Sequence, residues 1–169
     1  KNVRFGAIGS RPAAFNTVRY SEKILEMAGI AVEPIDLYEI LGWVDRLDAK
    51  DRKVKAKLKA IQGYTDCASI PEAALLKMAK FGAVVDRWTK ENELSGTAIQ
   101  CWTAIEEFFG IVPCTLMSMM SDSLLPSACE VDITGLLGMH ILQLASGTPS
   151  ALLDWNNNFA NDPNKCVLF

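Results

Sequence analysis

The sequence has little histidine and little net charge. A single histidine, His140, occurs in 169 residues, and the formal net charge at neutral pH is −3. So small a negative charge offers nothing that would attract nucleic acid or an anionic membrane surface. We therefore expect neither nucleic acid nor a membrane among the partners of this protein.

The sequence also lacks long apolar runs and a disulfide pattern. No run approaches the roughly 20 residues that a membrane-spanning helix needs. The cysteines are odd in number and never spaced as Cys-x-x-Cys; they are Cys67, Cys101, Cys114, Cys129 and Cys166. This pattern favours reduced thiols in a cytoplasmic protein over a zinc site. Cys129 adjoins Glu130 without a histidine base beside it, so buried packing is favoured over a nucleophilic role.

What is present is an alternation of apolar strands and helices. The first forty residues predict a βαβ unit, with strands at 3–8 and 30–37 around a helix at 17–28. Residues 38–93 are predicted to be mostly helical, with a long helix that starts at Pro71. Further on, strands at 96–102 and 112–119 are predicted on either side of a helix at 103–109. We expect an α/β fold, an open and mostly parallel sheet with flanking helices, in one unit with a possible sub-boundary near 93–96.

Two carboxylates flank the apolar helix that is predicted to follow Ala128. Glu130 is expected at the start of this helix, and Asp154 at the end of a buried strand over 151–155. Both positions face the rim where open α/β sheets place their ligands. For Glu130 alone a helix cap is the favoured interpretation. Asp154, between two apolar neighbours, needs a cation, a hydrogen-bond network or a shifted pKa.

Three segments carry a resemblance to a known family: AIQCWTAIEEFFGIVPCT, SDSLLPSACEVDITGLLGM and LLDWNNN. In this order they resemble the fucose/arabinose isomerase superfamily, which converts aldoses and ketoses with a divalent metal, usually manganese. In the fucose isomerase branch an acidic pair, Glu then Asp, binds the metal. Glu130 and Asp154 match both the residue types and the spacing (154 − 130 = 24 positions). The chain is therefore identified as nearer the L-fucose isomerase branch.

The resemblance implies a metal-dependent aldose-ketose isomerase that works through an ene-diol, with Mn²⁺ as its cofactor. Glu130 and Asp154 would both ligate the metal and carry protons, and Gln100 would contact sugar hydroxyls. The full-length protein would be a homo-oligomer. The alternative is a sugar-binding or regulatory relative that keeps the scaffold without turnover.

The family's remaining protein ligand is a histidine in a C-terminal domain, and no residue here matches it. His140 lies ten residues into the apolar helix, so its side chain is expected to be a partly buried core or surface group away from Glu130. We therefore expect the chain to be a fragment, covering the middle domain and the start of the C-terminal part, with little activity by itself. Residues 165–169 are predicted to be an inner strand of the sheet.

Overall fold

A sheet of four parallel strands lies at the centre of the computed structural model, which describes residues 3–168. The strands are β1 (Val3–Ile8), β2 (Ile30–Ile35), β3 (Gly96–Ile99) and β4 (Ser127–Cys129), in the spatial order β2-β1-β3-β4. Every neighbouring pair in this sheet is parallel. The predicted open α/β sheet is thus confirmed.

Helices cover both faces of the sheet: α1 (Glu22–Met27), α2 (Leu37–Arg46), α3 (Arg52–Tyr64), α4 (Glu72–Glu91), α5 (Cys114–Asp122) and α6 (Ile133–Ser146). Successive strand residues point to opposite faces, and the core divides accordingly. Ile8 and Ile99 pack with buried residues of α2, α4 and α5. Phe5 and Ala98 pack with buried residues of α1 and α6. The result is a three-layer arrangement in which α3 lies outermost against α4.

The region predicted as a strand at 112–119 is instead helical, and that prediction is wrong. Helix α5 begins at Cys114 after the N-cap residue Pro113 and buries Leu116, Met117 and Met120. Leu116 and Met117 precede Met120 by four and three residues, and this spacing places them on one helical face. A short apolar run does not distinguish a buried strand from a buried helix, which explains the error.

Two other helices differ from prediction. The helix expected at 17–28 is a short 3₁₀ turn at Asn16–Val18 followed by α1. The helix expected from Ala128 begins only at Ile133, because Ser127–Cys129 is a strand that pairs with Thr97–Ile99. A hydrogen bond of 2.9 Å between the hydroxyls of Thr97 and Ser127 supports this pairing in the buried layer.

The segment after α6 is not the buried strand that was predicted at 151–155. Residues 151–154 are exposed coil, and strand β5 (Trp155–Asn158) is exposed throughout. It pairs with β6 (Cys166–Leu168) in a two-stranded antiparallel sheet, so the prediction of an inner strand at 165–169 is also wrong; Phe169 lies outside the described residues. Antiparallel neighbours need only a short connection, whereas a place in the parallel sheet requires a crossover.

Among residues 3–168, no helix is both long enough and apolar enough to cross a membrane.

Candidate functional site

A cleft of about 610 Å³ opens at the carboxyl ends of β3 and β4. Its walls come from the turn at Thr17 and Val18, from the first turns of α5, and from the coil at 150–154. Cys129 and Glu130 also line it, directly where β4 ends. Ligands of open parallel sheets bind at this edge, because loops after neighbouring strands converge there.

Glu130 enters the cleft from an unusual turn. It and Val131 have φ values of 60° and 55°, in the left-handed region that residues with a side chain rarely adopt. Backbone hydrogen bonds hold the turn, from the N–H of Val131 to the carbonyl of Ile99 at 3.4 Å and from that of Asp132 to Cys129 at 2.9 Å. Two consecutive left-handed residues are costly, and such strain persists mainly at functional positions.

The helix-cap interpretation of Glu130 is wrong, since Asp132 occupies the N-cap of α6. The Asp132 carboxylate accepts hydrogen bonds from the backbone N–H of Gly135 at 2.7 Å and from the Thr134 hydroxyl at 2.9 Å. The Glu130 carboxylate is therefore left to the cleft.

Asp154 lines the same cleft, and the structure brings it together with Glu130. The pKa of Glu130 is raised, first by burial and then by the negative charges of Asp154 and Asp132. Asp154 itself is exposed in the coil before β5, so the buried strand that was expected to force a partner on it does not exist. The two acids line the same cleft, and the negative charge of Asp154 disfavours ionisation of Glu130.

Three cysteines lie close together on the Glu130 side of the cleft, and sequence reasoning missed them as a group. The Sγ atoms of Cys101 and Cys129 are 2.7 Å apart, with one thiol donating to the other sulfur. The ligand atoms of Cys101, Cys129 and Glu130 all lie within 4.8 Å of one another. Cys101 follows the end of β3 and Cys129 ends β4, and these positions were the signal in the sequence. The signal could be used only with the knowledge that β3 pairs with β4.

Cys114, the first residue of α5, completes the thiol group. A hydrogen bond from Cys129 lowers the pKa of the Cys114 thiol to about 7, against an opposing contribution from burial. The pKa of Cys101 is lowered by the same donor, and that of Cys129 is raised because it is hydrogen-bonded to both neighbours and buried. Cys129 therefore keeps its proton, and because it has a single S–H it stabilises one of the two neighbouring thiolates at a time.

Gln100 lies beside the cleft, with both ends of its amide engaged within the chain. Its Oε1 accepts the backbone N–H of Ser10 at 2.8 Å, and its Nε2 donates to the carbonyl of Trp102 at 3.3 Å. The amide thereby ties the loop after β1 to the loop after β3. Contact between Gln100 and a sugar stays a prediction.

Two aromatic residues complete the surroundings. Trp102 lines the cleft with about half of its surface exposed and packs on Phe15, with ring centroids 5.5 Å apart. His140 packs edge-on against Phe5 at 5.5 Å, and burial lowers its pKa. His140 is thus partly buried, as expected of a core or surface histidine, and it packs on the core residue Phe5.

Comparison with known proteins identifies distant relatives. No protein-family model matches the chain. It is 25% identical over 171 residues to a sulfoquinovose isomerase from Alkalicoccus urumqiensis, covering 100% of this chain and 38% of that protein. The sulfoquinovose isomerase of Clostridium sp. (strain MSTE9) is 25% identical, and the match covers 88% of this chain and 33% of that protein. The sulfoquinovose isomerase of Priestia aryabhattai is 26% identical, and the match covers 90% of this chain and 34% of that protein. The chain spans about a third of the length of these relatives. It is thus distantly related to a group of sugar isomerases.

Proposed function

We propose that this chain supplies the acidic pair of a metal-dependent aldose-ketose isomerase of the fucose/arabinose type. The observation that supports this most is the meeting of Glu130 and Asp154 in one cleft at the carboxyl ends of the parallel strands. The distant relationship to sulfoquinovose isomerases supports the same class of reaction. The nearer relation to L-fucose isomerases is part of this proposal.

The donor set of the acidic pair fits a hard divalent cation. Carboxylate oxygens are the ligands that manganese and magnesium prefer. Glu130 is partly buried and faces a like charge, a combination that a cation relieves. Glu130 and Asp154 would hold Mn²⁺, which when bound would act as a Lewis acid on the two adjacent substrate oxygens.

The two acids also carry protons in this proposal. Exchange between aldose and ketose moves one proton between neighbouring carbons and another between their oxygens, through an ene-diol. A carboxyl group whose pKa is raised holds and returns a proton more readily near neutral pH. We assign the carbon-bound proton to the partly buried Glu130 and the hydroxyl proton to the more exposed Asp154.

The remaining walls of the cleft suit the body of a sugar. Trp102 offers an apolar face, while Ser118, Ser121 and Ser150 offer hydroxyls. Among the described residues that line the cleft there is no lysine or arginine. An anionic substituent on the sugar would thus find no cationic partner here, so we propose an aldose bound by its reacting end and leave its other substituents unassigned.

The activity of the whole protein requires more than this chain. Three carboxylates line the cleft among the described residues, but that of Asp132 caps α6, which leaves Glu130 and Asp154 for a metal, and His140 is not one of the lining residues. We therefore propose one unit of a larger cytoplasmic homo-oligomer, in which other parts supply the histidine ligand and further sugar contacts. The isolated chain should form little or no ketose from an aldose in the presence of manganese.

Thermal melts with and without millimolar Mn²⁺ test the acidic pair. Wild type should melt at higher temperature with the metal, by an amount that follows RT ln(1 + [Mn]/Kd). Glu130→Gln and Asp154→Asn should each abolish the shift, whereas Asp122→Asn, at the exposed end of α5, should keep it. A shift that survives both cleft substitutions would contradict the proposed site.

The second candidate function is that of a sugar-binding relative without turnover. It is favoured by the small number of metal ligands in the isolated chain. A sugar-binding relative would bind aldoses without moving the carbon-bound proton. Incubation of the chain with Mn²⁺ and an aldose in D₂O, followed by proton NMR of the sugar, separates the two. We expect slow deuterium incorporation beside the carbonyl carbon even though little ketose forms, and Glu130→Gln should remove it; sugar binding without incorporation would favour the alternative.

A further inference from the structure

We propose that Cys101, Cys129 and Glu130 form a second metal site, selective for a thiophilic divalent cation of the zinc class. This inference goes beyond the proposed isomerase function, although it shares Glu130 with the acidic pair. It rests on the three side chains that the ends of β3 and β4 bring to one point.

The backbone of the parallel sheet fixes the three donors. Cys129 pairs with Ile99 in the register of β3 and β4, and Cys101 follows Ile99 by two residues. Cys101 is buried at 1% exposure, so its thiol is directed into the protein and toward Cys129. Glu130 follows Cys129 in the left-handed turn, and its carboxylate reaches the same point within 4.8 Å of both sulfurs.

The chemistry of the donors determines the cation. Two thiolates and one carboxylate match the borderline-soft Zn²⁺, whereas Mn²⁺ prefers oxygen ligands throughout. Zn–S bonds of about 2.3 Å in tetrahedral geometry set two sulfurs about 3.8 Å apart. The pair now at 2.7 Å must open by about 1 Å, and Cys129 borders the cleft into which it can move.

Binding of the metal releases the protons of the two thiols. Each thiol transfers its proton to solvent as its sulfur takes the metal, and the Glu130 carboxylate already binds as an anion. A water molecule from the cleft fills the fourth position. The sulfur of Cys114 contacts Cys129 but stays outside the ligand set, because it is not among the atoms that lie within 4.8 Å of one another.

Sharing of Glu130 couples the two metal sites. A cation on the sulfurs draws the Glu130 carboxylate away from Asp154 and removes one of the two oxygen donors for Mn²⁺. Micromolar Zn²⁺ should therefore suppress the stabilisation by Mn²⁺. The effect reverses on addition of a zinc chelator.

Cobalt titration of the reduced protein under anaerobic conditions tests the site without any turnover. Thiolate-bound Co²⁺ shows sulfur-to-metal charge transfer in the near-ultraviolet and tetrahedral ligand-field bands in the visible. Wild type should show both, and stoichiometric Zn²⁺ should remove them. Cys101→Ser and Cys129→Ser should each lower the affinity for Co²⁺ by at least about tenfold, and Glu130→Gln should weaken binding while charge transfer persists.

Matched cysteine variants serve as controls. Cys67→Ser, at a thiol that donates to the carbonyl of Thr65, and Cys114→Ser should keep the wild-type spectrum. Asp154→Asn should keep it too while losing the Mn²⁺ shift, so that failure of one metal site is distinguishable from failure of the other. Circular dichroism checks that each variant is folded.

Three results would overturn the thiolate site. The first is a folded, reduced wild type without charge transfer. The second is a spectrum lost equally in Cys114→Ser, which would mean a different ligand set. The third is a thiol count showing that Cys101 and Cys129 are joined in a disulfide which, once reduced, gives a protein that binds neither Co²⁺ nor Zn²⁺.

Discussion

The carboxylate of Asp132 accepts the backbone N–H of Gly135 at 2.7 Å, and this hydrogen bond starts helix α6. The contact is close enough that a Cβ added at Gly135 would lie 2.5 Å from Asp132 Oδ2. With the cap provided by Asp132, Glu130 two residues earlier has no part in starting the helix. Asp132 therefore stabilises the start of α6, whereas Glu130, two residues earlier, presents its carboxylate to the cleft.

This division predicts that removal of Asp132 lowers stability and that removal of Glu130 does not. Asp132→Ala should lower the free energy of unfolding by about 1 kcal/mol, the usual cost of losing an N-cap side chain. Asp132→Asn should restore most of it, since Asn caps as well as Asp. Glu130→Gln should leave stability unchanged or slightly higher, because it removes a partly buried charge beside Asp154 and Asp132. Urea denaturation of the three variants measures these effects; a loss in Glu130→Gln as large as in Asp132→Ala would contradict the assignment.

A second prediction concerns Gly9 and Gln100, at the ends of β1 and β3. Gly9 has φ +83°, and a Cβ there would lie 2.4 Å from Gln100 Oε1. Gly9→Ala should therefore destabilise the fold by about 1–2 kcal/mol from the backbone conformation alone, with the clash added. In a Gln100→Gly background the same substitution should cost less, because both Oε1 and the Cβ of residue 100, which would lie 2.8 Å from the new Cβ, are then absent. A double-mutant cycle measures the coupling, and additive effects would show that the clash is relieved at no cost.

Much of the sheet was predictable because its signals are local. The apolar run at Val3–Ile8 ends at Gly9, and the long helix after Pro71 has a broad apolar stripe. Those features require no knowledge of what lies beside them. Helix α5 was missed because its apolar run is short and because, apart from Pro113, its N-terminal side carries no signal that marks the start of a helix.

The site was predictable only in part, and for a different reason. Glu130 and Asp154 were singled out at the ends of a predicted helix and a predicted strand, both of which were misplaced, and their role as a metal-binding pair came from the resemblance to a family. The thiols of Cys101 and Cys129 stand 28 positions apart, and only the register of β3 on β4 brings them to 2.7 Å. Register between parallel strands is set by the packing of helices on both faces, which local sequence patterns do not contain.

A third prediction uses the pH dependence of stability. Burial lowers the pKa of His140 from its ordinary value of 6.5, so the unfolded chain binds a proton there more readily than the folded one. The stability associated with neutral His140 is then fully present above pH 6.5 and declines as the pH falls from 6.5 through the lower folded pKa. Urea denaturation of wild type and His140→Gln at pH 7.5 and at pH 5.5 tests this. The free-energy difference should move in favour of the variant at the lower pH; a constant difference would contradict the shift.

The fourth prediction concerns the reactivity of Cys114. The hydrogen bond from Cys129 lowers the pKa of this exposed thiol to about 7. At pH 7 about half of it is thiolate, against a few per cent for a cysteine of ordinary pKa near 8.5. Iodoacetamide should therefore label Cys114 well before a typical cysteine, with a rate that rises to half its plateau at a pH of about 7. Mass spectrometry of the labelled peptides gives the rate at each pH, with exposed Cys166 as the reference for reagent access.

Replacement of the donor makes this prediction specific to the thiol group. In Cys129→Ala the Cys114 sulfur keeps only the hydrogen bond from its own backbone N–H, while burial and the charge of Glu106 still disfavour the thiolate. The midpoint of labelling should then move to higher pH, and the rate at pH 7 should fall. Cys67→Ala is a matched control, because the Cys67 thiol donates a hydrogen bond to the carbonyl of Thr65 and not to another thiol. It should leave the pH midpoint of Cys114 labelling unchanged. A midpoint near 7 that persists in Cys129→Ala would show that the ionisation of Cys114 depends on the start of α5 and not on its neighbouring thiol.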